Sequence, residues 1–473
     1  MIRGRLAPSL IVLFVLNGCS LAPTYKKPET PVPSQYKEAV GIWKLAKPSD
    51  RLSRGKWWAI YHDPTLDKLM DQLSLANADL AAAVAHFDQA TAYANEARSY
   101  LFPTIQAGTY ATTNRQSIHR AHRSLGFQPS VYGDYSAGLM ADYEVDFWGR
   151  IHNLVAAGEA GAAAAAADLE SVKLSLTAEL ADDYLSLRTL DAQSSLLSAE
   201  ISAYSKALTL TRNRFEGGID SALDVSRAKA QLDTAKAKLS DTLAERALYE
   251  HAIATLIGVP ATSFTLKPET VALSLPTIPI GVPATLLQRR PDIAAAERRL
   301  FAANARIGIA KAAFFPTVNL VAAGGFESTY ASSWLSAPDL FWSIGPNALL
   351  TIFDAGRREA VVREAQAAYN VAGAEYRATV LQAFQQVEDN LALLNDLAVE
   401  SVALKAAVAD TKHTLDLAMN RYREGAVNYL EVVIAQTAAQ QAQLDELNLR
   451  KRRLQASVGL IRALGGGWSL TGG

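Results

Sequence analysis

Between Tyr135 and Phe147 the side chains alternate without a break. Tyr135, Ala137, Leu139, Ala141, Tyr143, Val145 and Phe147 fall on one face, and Ser136, Gly138, Met140, Asp142, Glu144 and Asp146 on the other. A period of two predicts a strand, and three acids on one side suit a strand set between lipid and a wet lumen. In isolation the same segment would be read as an amphipathic strand of a soluble sandwich. Thr104–Ala111 alternates more weakly. Thr317–Phe326 and Phe341–Phe353 are the two further strand candidates, and Pro346 inside the latter predicts an edge, a bulge or a bend. Elsewhere the pattern is helical. Residues 65–101 are alanine-rich and stop before Pro103. Arg150–Phe215 and Arg357–Tyr422 contain no proline, so each predicts a helix of ~66 residues, about 100 Å long at 1.5 Å per residue. After glycine turns, Ala222–Ile257 and Asn428–Leu464 predict returning helices. Helices of that length belong to coiled-coil-like assemblies.

The elements recur. Ala78-Asp79-Leu80-Ala81-Ala82-Ala83 matches Pro291-Asp292-Ile293-Ala294-Ala295-Ala296, and Leu101-Phe102-Pro103-Thr104 matches Phe314-Phe315-Pro316-Thr317, both at an offset of 213. Asn213-Arg214-Phe215 then pairs with Asn420-Arg421-Tyr422, Gly218 with Gly425, Leu223-Asp224-Val225 with Leu430-Glu431-Val432, and Ile257-Gly258 with Leu464-Gly465, now at 207. A single change of offset is what a shorter loop in the second copy produces. The chain is therefore an internal duplication, each unit running helix, strand, loop, strand, helix, helix over about 180 residues. The domains expected are a signal segment (1–18), an extended N-terminal segment (19–64), a first repeat (65–258), a linker (259–283), a second repeat (284–465) and a tail (466–473). The linker reading rests on Pro260, Pro268, Pro276, Pro279 and Pro283.

Composition removes several classes. The chain has 473 residues, enough for two or three domains, and 46 Lys+Arg against 47 Asp+Glu, without the basic excess of a nucleic-acid binder. Hydrophobic residues at 49% and charged residues at 20% argue against disorder. One cysteine allows no intrachain disulfide and no zinc knuckle. Past residue 20 no apolar run approaches the ~18 residues of a spanning helix. At the N-terminus Arg3 and Arg5 precede the apolar stretch Leu6–Leu16, the form of a secretory signal. It closes on Leu16-Asn17-Gly18-Cys19, which resembles a bacterial lipobox and predicts a diacylglycerol and an N-acyl chain on Cys19. Ser20 stands where an Asp tends to retain such lipoproteins at the inner membrane, so the resemblance directs this chain outward. Five prolines between Ala22 and Asp50 predict a strap laid along the body.

A membrane barrel must close so that every backbone amide is paired, and eight strands is the smallest count. Four strands per chain imply a shared barrel, eight strands from two copies or twelve from three. With the lipobox, Trp57-Trp58, Asp63-Pro64-Thr65-Leu66 and the Phe-Pro-Thr strand starts, the chain resembles outer membrane factors of the TolC family, in the lipoprotein branch serving resistance-nodulation-division pumps. Arg289-Arg290-Pro291-Asp292-Ile293, Phe353-Asp354-Ala355-Gly356-Arg357, Arg421-Tyr422-Arg423-Glu424-Gly425 and Tyr429-Leu430-Glu431-Val432 carry the same resemblance. It implies a mainly α chain with a membrane β-barrel portion: a homotrimer with a 12-stranded barrel continuous with a 12-helix periplasmic α-barrel. It also implies partnership with a periplasmic adaptor, an inner-membrane proton-driven pump and outer membrane lipid, conducting drugs, dyes, detergents or metals outward.

The expected work is gating and conduction, with no catalytic residues, no metal site and no cofactor beyond the lipid. Gly217, Gly218 and Gly425 mark hairpin tips, which the family closes by coiling inward. Arg214, Asp224, Arg421, Tyr422 and Glu431 lie within about two helical turns of a tip. Arg421–Glu431 and Arg214–Asp224 are candidate links between neighbouring hairpins, and Asp224 with Glu431 a candidate acidic, cation-favouring constriction. Family members often carry an acid where this chain has Ile434. Seven histidines are scattered; His119 and His122 share a loop with Arg115, Arg120 and Arg123. No P-loop, nucleophile elbow or HExxH helix appears. The rival readings are a type I protein secretion channel of the same fold and a non-conducting, lipid-anchored coiled-coil spacer. The strand alternation and the duplication count against the spacer.

Overall fold

The computed structural model describes residues 20–29, 33–39, 55–115, 117, 131–271, 274–278 and 289–466. The signal segment, Cys19, and the loop with His119 and His122 lie outside the described residues. The chain divides into two compact units. The first comprises Met1–Pro28, Phe87–Ala165 and Ala296–Tyr376; the second comprises Glu29–His86, Ala166–Ala295 and Arg377–Gly473.

In the first unit four antiparallel strands, β1 (Thr104–Arg115), β2 (Val131–Glu144), β3 (Thr317–Ser328) and β4 (Leu340–Leu349), form a sheet in sequence order. Its register sorts the side chains. Ile105 pairs with Ala141, Ala141 with Ala322 and Ala322 with Ile344, so one face carries these residues with Leu139, Phe326, Leu340 and Trp342. The other carries Gln106, Thr112, Ser136, Asn319 and Asn347, with the acids Asp134, Asp142, Glu144 and Glu327. Among the described residues the apolar face has no partner: Trp342 is 74% exposed and Ile344 65%. β1 and β4 are the edge strands within this chain, and Pro346 lies in β4 opposite Leu320. Gly138 and Gly325 face each other where β2 and β3 approach closely; a Cβ on Gly325 would lie 2.2 Å from the Ala137 carbonyl oxygen.

Two strands end earlier than alternation suggests. β2 stops at Glu144, whose carboxylate receives the Arg150 guanidinium (2.7 and 2.5 Å) while Asp146 accepts from the His152 N–H. Apolar Leu350–Phe353 is not strand, because Asp354 opens the next helix by accepting from the backbone N–H groups of Gly356 and Arg358. Trp148 stacks on Phe315 and donates to the Pro316 carbonyl, fastening the turn after β2 to the turn before β3. The described strap follows the body: Ser20 donates to Asn153, Asn304 to the Pro23 carbonyl, and Lys27 pairs with Glu297.

The helices are α1 (Pro64–Ala76), α2 (Ala78–Ser99), α3 (Arg150–Glu216), α4 (Ala222–Leu256), α5 (Pro291–Ala312), α6 (Arg357–Arg423) and α7 (Tyr429–Ala463). Asp63 caps α1 through Thr65 and Leu66, with Pro64 in the first turn. The helix expected over 65–101 is two helices. Asn77 breaks it: its side chain donates to the Leu256 carbonyl and caps α2 by accepting from the Leu80 N–H. α3 and α6 each run 67 residues unbroken. Among the described residues no helix is long and apolar enough to cross a membrane.

In the second unit the described linker is bound by arginine and carboxylate-bearing side chains. Arg246 donates to the Leu266 carbonyl and Arg188 to the Lys267 carbonyl, while Glu250 accepts from the Leu266 N–H and Asp191 from the Glu269 N–H. Arg188 and Arg246 both also bind Asp191, and all four side chains are largely buried. These groups stand in for a neighbouring strand, reading backbone rather than side chains. The strap at residues 33–39 is held alike: Lys37 and Glu38 donate backbone N–H groups to Glu388, and Asn395 donates to the Glu38 carbonyl.

The close approach of β2 and β3 makes Gly325→Ala lower thermal stability by about 1–3 kcal/mol, whereas Gly345→Ala, where a Cβ meets nothing within 4 Å, is close to neutral; thermal melts of both variants check this. Burial raises Asp182 to about 7, with Glu179 and Asp183 adding to the shift and Arg462 opposing it, and raises Asp183 to about 6. A carboxyl whose folded pKa exceeds its unfolded one destabilises increasingly as pH climbs between the two. Asp182→Asn therefore raises the melting temperature more at about pH 8 than at about pH 5.

Candidate gate at the hairpin tips

Each long hairpin in the second unit turns at one obligatory glycine. Gly218 and Gly425 both have φ +76°. In each, the N–H after the glycine returns to a carbonyl one turn back: Ile219 to Arg214 and Ala426 to Arg421, both 2.8 Å. Gly217 keeps helical geometry and bonds back to Asn213 at 3.0 Å, which explains why Glu424 fills its place in the second copy. Ser221 and Asn428 then cap α4 and α7.

The two hairpins meet through Tyr422. It is fully buried beside Tyr429, Val432, Ala207 and Ala228, with its ring edge-on to Tyr429 at 5.2 Å. Its hydroxyl reaches from the second copy into the first, donating to Asp220 and lying 3.0 Å from the Thr211 hydroxyl. Arg214 sits over the same ring at 4.8 Å and pairs with Asp220 at 3.1 Å. Burial, reinforced by the bond to Asp220, pushes the Tyr422 phenol up to about 12, so it stays a neutral donor. Asp220 is thus the centre of the inter-hairpin link. The sequence pairs it with Val427 in the duplication, so no repeated acid flags it.

One of the links expected from the sequence is corrected. Arg214 binds Asp220, not Asp224. Asp224 is spent locally: it accepts from the Ser221 hydroxyl and backbone in a capping box and pairs with Arg227 at 3.3 Å. Arg421 and Glu431 do meet, at 3.5 Å, but within one hairpin and with both side chains at least half exposed. Ile434 is exposed on the same helix. Among the described residues no group of three or more His, Cys, Asp or Glu is placed to hold a metal.

Comparison with known proteins places this geometry. The family described as outer membrane efflux protein matches residues 69–259 and 282–466, one stretch in each copy. The toluene efflux pump outer membrane protein TtgF of Pseudomonas putida is 32% identical over 465 residues, covering 97% of this chain and 96% of that protein. Outer membrane protein OprJ of Pseudomonas aeruginosa is 32% identical over 463 residues, 97% of this chain and 95% of its own length. The solved open state of the Neisseria gonorrhoeae MtrE outer membrane channel superimposes with a TM-score of 0.81 at 28% identity, covering 95% of this chain and 98% of that one. The chain belongs to the outer membrane efflux protein family.

Proposed function

We propose that this protein is the outer membrane channel of a tripartite efflux pump, a trimer whose three four-stranded sheets close one 12-stranded barrel. The observation that carries the reading is the sheet itself. One face is apolar and exposed, the other is polar with four acids, and the edges β1 and β4 find no partner among the described residues. Such a sheet is stable in lipid only when other copies complete it. The name of one relative similar over nearly the whole chain, a toluene efflux pump outer membrane protein, supports the direction of transport. On this reading Cys19 carries the lipid anchor, a periplasmic adaptor engages the tips, and a proton-driven inner-membrane pump selects the cargo. No chemistry is performed on the cargo.

The tip contacts supply a mechanism for gating. The Tyr422 hydroxyl, bonded to Asp220 and Thr211, ties the second copy's hairpin to the first's, while Arg214 holds Asp220 from within the first hairpin; a bond to a charged group such as Tyr422–Asp220 is worth about 1.5–3 kcal/mol. A ligand opens such a closed state only by binding the separated hairpins more tightly. An adaptor does so by competing for the tip groups. A similar channel has been solved in a state described as open, which supports a channel with more than one state.

Deletion of the gene sensitises cells to dyes, detergents or antibiotics, and the purified protein forms channels in planar bilayers; unchanged sensitivity together with silent bilayers refutes the efflux reading. Tyr422→Phe and Asp220→Asn increase single-channel conductance, because each removes part of the inter-hairpin link while leaving the apolar packing of the ring. Glu431→Lys shifts the reversal potential in a salt gradient toward anions; an unchanged potential eliminates the acidic constriction.

A further inference from the structure

Away from the tips a second contact joins the two hairpins, and it runs through Gln440. This side chain of α7, 3% exposed, lies between two charged groups of the first copy. Its Nε2 donates to Glu200 on α3 at 2.6 Å, and its Oε1 accepts from Lys238 on α4 at 3.3 Å. An ammonium only donates and a carboxylate only accepts, so the amide has one orientation here. Glu200 stands about 24 Å along α3 from its Glu216 end, at 1.5 Å per residue. α3 and α4 pack together at this level through Tyr204, Leu232 and Ala235, with Tyr204 about one turn from Glu200 and Ala235 about one turn from Lys238. Burial raises the Glu200 carboxyl above its usual pKa, while Gln440 and Lys238 oppose the shift, so Lys238 is felt across the amide. The duplication does not repeat the arrangement. Ala407 and Asp445 stand at the positions of Glu200 and Lys238, and Asp445 accepts from Gln441.

A part-buried ion left without a partner is costly, so a bridge that strands two of them on leaving would resist any separation of the hairpins. Here the two ions suit each other. Both belong to the first hairpin, one on each of its packed helices, and the lysine stem is long and flexible. When Gln440 withdraws with α7, one ion pair inside the first hairpin can replace two hydrogen bonds between hairpins. We propose that Glu200 and Lys238 form a partner-exchange switch: Gln440 bridges them in the closed channel, and they pair directly when the hairpins separate. The switch rests on the channel reading and deepens its account of gating. The Tyr422–Asp220 bond favours the closed state alone, whereas the exchange at Gln440 gives the open state a contact of its own, as a two-state element requires.

Single-channel recording of the full-length, detergent-purified protein in planar bilayers tests it, with Gln440→Leu, Glu200→Gln and the double variant. Leucine roughly keeps the volume of glutamine and removes both bonds. Gln440→Leu therefore frees the ions to pair and raises the ratio of open to closed time about tenfold or more, as loss of one charged hydrogen bond predicts. Glu200→Gln weakens the same bridge but also removes the ion pair of the open state, so it gates close to wild type. Added to Gln440→Leu, it cancels most of that variant's gain. A contact that is a latch and nothing more behaves otherwise: Glu200→Gln then opens the channel as Gln440→Leu does, and the double variant matches Gln440→Leu. Either of those results, or a Gln440→Leu ratio equal to that of an active wild type, overturns the switch and leaves the channel reading standing. A wild type silent in bilayers overturns both.

Discussion

A backbone amide in hydrocarbon has no water to turn to, and this single constraint organises the protein. The four-stranded sheet satisfies its interior N–H and C=O groups through three antiparallel ladders, yet leaves the outer edges of β1 and β4 open. Its register puts alanine, leucine, isoleucine and tryptophan on one side and asparagine, serine and carboxylates on the other. A soluble sandwich would bury the first side against a second sheet. Among the described residues nothing covers it; on the channel reading lipid does, and then the edges need neighbours. Oligomeric closure is thus a consequence of hydrogen bonding before it is a property of the family.

The helical hairpins solve a different problem. Proline-free stretches let α3 and α6 run unbroken, and glycines with positive φ reverse the chain where an L side chain would strain. Duplication supplies two hairpins of the same length but not of the same chemistry. Tyr422 and Tyr429 fill the interior on the second copy's side, where the first copy has Phe215 and Ala222. That divergence allows one hairpin to provide the phenol and the other the carboxylate.

Much of this was legible in the sequence where the signal was local. Alternation found the strands, proline-free runs found the helices, and glycine spacing found the tips. Errors arose where a single side chain outweighed periodicity: Asn77 divides an alanine-rich helix, and Asp354 starts α6 while the residues before it still look strand-like. Partners distant in sequence left no trace. The Asp220–Tyr422 bond spans 202 residues and the Asp191–Arg246 pair spans 55, so neither could be read from spacing, and a neighbouring acid, Asp224, is the one the duplication singles out. Asp224 has the composition of a gate residue but the geometry of a helix cap.

The central claim is that copies of this chain complete one another's sheet. Native mass measurement of the purified protein in mild detergent tests it most directly. The account predicts a particle of three chains that dissociates when edge pairing is blocked by proline substitutions in β1. A stable single chain that retains its strand content in detergent would contradict it.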